Sequence, residues 1–159
     1  MTAEEARQLF SYNPETGELT WRVSRRGVRQ DRRAGNIRHD GYAVVFVSGR
    51  VYLAHRLIWA VVTGSWPNTG IDHINGSRGD NRWTNLRLAS KAENGRNRGA
   101  QSNNTSGFKG VSRNKKRWSA SIHLDGRKQH LGTYDTPEEA HAAYCKSSAE
   151  HHGEFANFG

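Results

Sequence analysis

Between Gly70 and Arg98 the sequence reads GIDHINGSRGDNRWTNLRLASKAENGRNR. An acid and an imidazole stand side by side at Asp72 and His73, with amides following at Asn85 and Asn94. So many polar groups in so short a span suit a compact metal-dependent hydrolytic site. Breaking a phosphodiester needs a base to activate water, a cation to offset crowded negative charge, and support for the leaving oxygen. A carboxylate at Asp72 and an amide oxygen at Asn94 are hard donors, better matched to magnesium or manganese than to zinc. Adjacent strand residues project to opposite faces, so a twisted or bulged strand end is required if Asp72 and His73 are to act together.

The elements that must position these groups are legible in the flanking pattern. Short strands are expected over 71–74 and 86–89, joined by a polar loop over 75–82. Ser90 with Glu93 three residues on forms a capping box, placing Asn94 in the first turns of a helix. Upstream, a helix over 2–10 opens on a second capping box, Thr2 and Glu5, and the Asn13-Pro14-Glu15-Thr16-Gly17 run is a turn. A strand over 19–23 and a hairpin over 41–47 and 50–53 follow. The 25–40 segment lacks periodicity and reads as a loop. An apolar helix over 55–63, HRLIWAVVT, stops at Gly64 and supplies the main hydrophobic mass of this half.

Residues 95–106 carry no large apolar side chain and read as a linker. Beyond them come strands over 108–113, 117–124 and 127–134, the last two joined by Asp125-Gly126. In the middle strand Trp118, Ala120, Ile122 and Leu124 point one way, and Arg117, Ser119, Ser121 and His123 the other. Thr136-Pro137-Glu138-Glu139 then caps a helix whose inward stripe is Ala140, Ala143, Tyr144 and Ser147. The expectation is an α+β chain: a small N-terminal α+β domain, linked to a three-stranded antiparallel sheet backed by one helix.

Charge points to a polyanion. The 159 residues carry a net charge of +9, unevenly spread. Seven Arg face one Asp between Arg22 and Arg38, and residues 95–134 hold nine Lys or Arg against one Asp. Two basic clusters fit contact with nucleic acid at two places; a solvated face that aids solubility is the plainer alternative. Cys145 is the single cysteine, which excludes an internal disulfide and a Cys-cluster zinc site. No apolar run is long enough to span a membrane, the N-terminus is acidic and not a signal peptide, and a reducing cytoplasm is the expected compartment. His39, His141, His151 and His152 read as surface residues.

Residues 52–98 resemble the HNH homing endonucleases of phages and group I introns, which carry a ββα-metal site. The resemblance rests on Tyr52-Leu53-Ala54-His55-Arg56-Leu57, Asp72-His73-Ile74-Asn75-Gly76, Asn81-Arg82, Asn85-Leu86 and Glu93-Asn94. It implies that His73 is the general base, that Asp72 and Asn94 hold one metal ion, Mg2+ or Mn2+, and that Asn85 orients His73 across the hairpin. Asn94 departs from the last His of the family pattern, giving an H-N-N variant, and the zinc-holding cysteine pairs of other members are absent. His55 and Arg56 are candidates for contact with phosphate, although His55 can equally cap or pack at the start of its helix.

Residues 107–159 resemble the Apetala-two-type domain of plant ethylene-response factors, through Gly110-Val111, Trp118-Ser119-Ala120-Ser121-Ile122, Leu131-Gly132-Thr133-Tyr134 and Pro137-Glu138-Glu139-Ala140-His141-Ala142-Ala143-Tyr144. In that family the sheet lies in the DNA major groove. Here the expected DNA face comprises Arg113, Lys115, Arg117, His123, Lys128 and His130, with Lys109, and with Arg96 and Arg98 in the linker following the minor groove or the backbone.

The expected arrangement is therefore an HNH nuclease domain over 1–94, with its ββα-metal core over about 70–98, a linker over 95–106, and a DNA-binding domain over 107–159. The expected activity is metal-dependent hydrolysis of double-stranded DNA, as a nicking or homing-type endonuclease, in a bacterial or phage-infected cytoplasm. A DNA-binding regulator with a degenerate HNH site is the alternative, and an RNA-directed protein a third. Target sequence, nick or double-strand break, and oligomeric state stay open, a monomer being one option.

Overall fold

A computed structural model of the chain describes residues 1–24, Gly27, 29–101 and 103–159. Arg25, Arg26 and Val28 of the first basic segment, and Ser102 of the expected linker, lie outside the described residues. The fold is mixed α+β, as expected, and divides into two compact units, Met1–Ser90 and Lys91–Gly159. No described helix is long and apolar enough to cross a membrane.

The first unit opens with helix α1, Ala3–Leu9, whose Thr2–Glu5 capping box is formed on both sides. Strands β1, Phe10–Asn13, and β2, Glu18–Trp21, pair antiparallel around the 13–17 turn. The sequence pattern missed β1, because its Phe-Ser-Tyr-Asn run is too short to show alternation. Strands β3, Asn36–Ile37, β4, Ala43–Val47, and β5, Arg50–Leu53, form a three-stranded sheet in that order. The segment expected as loop therefore contributes an edge strand. Helix α2, Ala54–Thr63, ends at Gly64 in the left-handed conformation. Two of its late carbonyls, those of Val61 and Val62, accept from the Arg7 guanidinium at 2.8 and 3.0 Å, which satisfies groups a helix end otherwise leaves bare.

Strands β6, Gly70–His73, and β7, Leu86–Ala89, form the two-stranded hairpin that carries the expected site. Its inner residues Ile71 and Leu86 join Phe10, Leu19, Trp21, Val45, Val47, Leu57 and Ile58 in one core. The hairpin is thus rooted in the same apolar mass as α2, and a two-stranded ribbon needs such backing to be stable.

The second unit begins with α3, Lys91–Arg96, then strands β8, Val111–Asn114, β9, Arg117–Leu124, and β10, Arg127–Tyr134, and helix α4, Pro137–His152. The sheet runs β10-β9-β8, antiparallel throughout, and α4 packs on it. This matches the expected three strands and one helix. Thr136 and Glu139 complete the capping box at the start of α4. Small residues hold helix and sheet close: Ala120 and Ala140 are fully buried. Gly110 has φ +77, and a Cβ there would lie 2.1 Å from the Tyr144 ring, so no other residue fits.

Residues 95–106 are not a bare linker. Arg96 ends α3, Asn97 is buried, and its carbonyl accepts from Asn157 Nδ2 at 2.9 Å. Asn104 Oδ1 accepts from the amides of Ser106 and Gly107, both at 2.9 Å, a side-chain-to-backbone turn that delays β8 until Val111. Polar side chains, invisible to a hydrophobicity pattern, order this segment. His152 is buried and His141 half-buried, where surface positions were expected. Both lie on α4, whose composition hides which face turns inward.

Candidate active site

The site grows out of the end of β6. The β6–β7 register runs without a bulge from Gly70 opposite Ala89 to His73 opposite Leu86. Asp72 and His73 therefore leave the strand on opposite faces, as regular strand geometry dictates, and the bulge that would align them is absent. Both are buried, each at 5% exposure.

On its face, Asp72 meets its cross-strand partner Arg87. Arg87 Nε and Nη2 donate to Asp72 Oδ2 at 2.9 and 2.8 Å. The carboxylate is thus already matched by a resident cation within the protein. Such a buried pair is held by geometry, since its Coulomb gain must offset the desolvation of both charges.

On the other face, His73 Nε2 lies 3.0 Å from Asn81 Oδ1. An amide oxygen can only accept, so Nε2 donates and Nδ1 becomes the basic nitrogen of the neutral ring. The ring also lies edge-on to His55, 5.1 Å between centroids, and 6.1 Å from the Tyr42 ring. This places Asn81 and Tyr42 in the site. Asn81 carried a sequence signal, its place in the Asn81-Arg82 match; Tyr42 lies far upstream and carried none.

Asn85 braces the loop between the strands. Its Oδ1 accepts from the Asn75 amide at 3.0 Å, and its Nδ2 donates to Asn75 Oδ1 at 3.0 Å and to the Asp80 carbonyl at 2.7 Å. Asp80 in turn accepts from Asn75 Nδ2 at 2.8 Å and from Arg82, which holds its carboxyl far below the usual range. The side chain of Asn85 acts on the loop that carries Asn81, and Asn81 acts on the His73 ring.

The N-terminal hairpin presses on that loop from behind. Tyr12 Oη donates to the Asn81 carbonyl at 2.8 Å, and burial, with the nearby Asp80 and Glu15, raises the Tyr12 phenol to about 12. Gly17, at φ +74, sits so close that a Cβ would lie 2.5 Å from the Arg82 nitrogen and 2.6 Å from the Asn81 carbonyl carbon. The turn read from sequence as a simple connection is therefore a fitted support for the residue that holds His73.

His55 and Arg56 do not present themselves to a phosphate. His55 is buried at 5% exposure, and its Nδ1 finds no hydrogen-bond partner among the described residues. Burial, then the adjacent His73, then Arg56, push its imidazole down to about 3, so the ring stays neutral. Leaving a buried nitrogen unsatisfied costs about 1–3 kcal/mol, a burden tolerated where the ring packs against His73 and Tyr42. Arg56 donates to the carbonyls of Thr69 and Pro67 at 3.1 and 3.0 Å, tying α2 to the chain entering β6. The adjacency of these two residues in sequence suggested an exposed basic pair; the helix turns one inward and uses the other as a strut.

Asn94 stands half-buried on α3, in the second unit, whereas Asp72, His73 and Asn85 stand in the first. Among the described residues no group of three His, Cys, Asp or Glu could hold a metal ion. The oxygen donors Asp72 and Asn94 remain the expected pair. By donor type alone, a carboxylate and an amide oxygen suit a hard cation such as magnesium.

The second unit presents fewer cations than expected. Register places Ser112 and Asn114 of β8, Arg117, Ser119, Ser121 and His123 of β9, and Lys128, His130 and Thr133 of β10 on the face away from α4. Arg113 pairs with Trp118 and lies 4.8 Å above its ring, so it belongs to the other face. It also donates to the Lys115 carbonyl at 3.0 Å. Lys109 donates to the carbonyls of Arg96 and Asn157 at 2.7 and 3.0 Å, and burial lowers its ammonium to about 8. It is an internal tie. Arg117 pairs with Asp135 at 2.8 Å, and His130 contacts Ser119 at 3.1 Å. Lys115, His123, Lys128 and Arg98 are exposed.

Residues 52–96 match the HNH endonuclease family. Protein 3.8 of Escherichia phage T7 is 35% identical over 107 residues, covering 65% of this chain and 88% of that protein. The uncharacterized HNH endonuclease L560 of Acanthamoeba polyphaga mimivirus is 32% identical over 119 residues, covering 74% of this chain and 62% of that protein. A solved structure of the HNH homing endonuclease I-HmuI, described as showing DNA binding and cleavage, covers 92% of this chain and 81% of its own, at 19% identity and a TM-score of 0.43. The chain belongs to the HNH endonuclease family and is a nuclease.

Proposed function

We propose that the chain is a metal-dependent DNA endonuclease that hydrolyses one strand of a duplex at the end of β6, as a nicking or homing-type enzyme. The observation that carries this reading is the buried His73 ring, bonded through Nε2 to Asn81 at 3.0 Å so that Nδ1 is left as the basic nitrogen. His73 takes the proton from the attacking water. Asn81 keeps the tautomer, and Asn85 keeps the loop that positions Asn81.

Asp72 and Asn94 would hold the divalent ion, Mg2+ or Mn2+. When bound, the ion supplies charge to offset the negative phosphate. Asp72 and His73 leave β6 on opposite faces, so the ion and the base would meet the phosphate from different sides of the strand end. The reading takes the chain in three parts, a nuclease domain to residue 94, a 95–106 connection and a domain over 107–159. The exposed β-sheet face of the last, with Arg117, His123, Lys128 and His130, lies along duplex DNA, as its resemblance to the Apetala-two-type domain suggests. Arg96 and Arg98 add charge beside the backbone.

The test is relaxation of supercoiled plasmid in magnesium. Relaxed circles that disappear with His73→Ala support the reading. Tight duplex binding without nicking across several divalent metals would instead favour a DNA-binding regulator with a degenerate site.

A further inference from the structure

The arginines around the β6–β7 hairpin are nearly all committed to partners inside the protein. Arg87 pairs with Asp72, Arg82 with Asp80 and Arg38 with Asp40, while Arg56 is spent on two carbonyls. Arg78 is different. It is exposed on the loop between β6 and β7, and among the described residues no carboxylate pairs with it. Nonetheless its guanidinium is held in place. It lies over the Tyr42 ring, 5.0 Å from the centroid, and Nη1 donates to the Asp40 carbonyl at 3.0 Å.

The support for Arg78 is itself built. Arg38 N donates to the Tyr42 carbonyl and Gly41 N to the Arg38 carbonyl, both at 2.8 Å, closing a tight 38–42 turn. Gly41 takes φ +86 in that turn, and a Cβ at Gly41 would already touch the Arg78 side chain at 3.6 Å. Asp40, whose carboxylate could otherwise capture Arg78, is claimed by Arg38. Arg78 is left with one bond to a neutral carbonyl, one aromatic face and most of its donors facing water. The same Tyr42 ring lies 6.1 Å from the His73 ring. The immobilised guanidinium is thus one aromatic ring away from the base.

A planar guanidinium with unspent donors, fixed in orientation, is suited to grip a phosphate in two places. A stacked arginine also loses less freedom on binding than a loose one. We propose that Arg78, oriented by Tyr42 and the Asp40 carbonyl, is a phosphate-binding residue that positions the DNA backbone at His73. The proposal rests on the DNA-nuclease reading and adds to it a contact made by the first unit itself, independent of the metal and of the sheet β8–β10.

The experiment measures binding of a short fluorescent duplex in EDTA over a range of salt, for the wild type, Arg78→Ala, Arg78→Lys and Tyr42→Leu, beside plasmid nicking in magnesium. Loss of one phosphate contact should lower the slope of log affinity against log salt by about 0.9 for Arg78→Ala. Arg78→Lys should keep the slope and regain only part of the nicking rate, since an ammonium cannot replace the planar grip. Tyr42→Leu should leave the slope near that of the wild type and lower the nicking rate, because the charge remains but its direction is lost. An unchanged slope in a folded Arg78→Ala, or a wild type with no affinity for duplex, overturns the proposal. His73→Ala separates the two readings: it should abolish nicking and leave the slope intact. If no protein nicks but Arg78→Ala still loses slope, the nuclease reading fails and the phosphate contact stands.

Discussion

The β6–β7 hairpin and the β8–β9–β10 sheet are both antiparallel, and both are flanked by basic sequence, yet they treat polar side chains in opposite ways. In the hairpin, Asp72, His73, Asn81 and Asn85 are all buried and bonded to neighbours. On the sheet's outer face His123 and Lys128 are exposed, and the Arg117–Asp135 pair stands in solvent. A buried network fixes geometry because every unmade bond is costly there. An exposed face attracts a polyanion with little demand on geometry. The hairpin fixes its polar groups in place, whereas the sheet leaves them to solvent.

Substitutions can sharpen or break that contrast. The largest effect is expected at His73, the proposed base. His73→Ala should cut the plasmid nicking rate by about 10²–10⁴ while duplex affinity holds; a variant within tenfold of the wild type would remove His73 from that role. Next come the two ion pairs. Arg87→Gln removes the cation paired with the buried Asp72 carboxylate and should cost up to about 3–5 kcal/mol in chemical denaturation. Arg117→Gln on the sheet should cost less than about 1 kcal/mol. Equal losses would erase the distinction between the two regions.

Acid should also act on the hairpin. His55 ordinarily titrates near 6.5, and in the folded protein only near about 3. Between those values the unfolded chain binds the extra proton, so stability falls as pH falls through that window. The slope is at most about 1.4 kcal/mol per pH unit, and it levels off below about 3. Thermal denaturation of His55→Phe should show a flatter profile from pH 7 to 5; an identical profile would mean another group is responsible. The smallest effect lies on the sheet, where Lys128→Ala should lower the salt slope of duplex binding by no more than about 0.9. The Arg78→Ala slope is the matching measurement on the hairpin side, and a null result there with a full effect at Lys128 would assign DNA holding to the sheet alone.

Much of the fold is legible in the amino-acid pattern. The Thr2–Glu5 and Thr136–Glu139 capping boxes, the Gly64 stop, the β4–β5 hairpin and the three strands with a helix at the end all rest on short-range signals, and all are present. So is the pairing of β6, which carries Asp72 and His73, with β7, which follows Asn85. What the local pattern does not show is direction. Lys109, read as an outward cation, turns in to two carbonyls, and Arg113 falls on the Trp118 face because β8 starts later than its hydrophobic pattern suggests. His55 is readable as a basic surface residue or a packed one, and only the core around α2 decides for packing.

By itself, then, the sequence determined which residues could do the chemistry and the short elements that bear them. Those depend on spacing, caps and turn residues within a few positions of one another. Tertiary structure alone decided that Arg87 neutralises Asp72, that Gly17 and Tyr12 back the residue holding His73, and that Tyr42 links His73 to Arg78. These contacts join residues far apart in the chain. They exist only because the apolar core of α2 and its sheets brings the hairpin, the 13–17 turn and the 38–42 turn into one place.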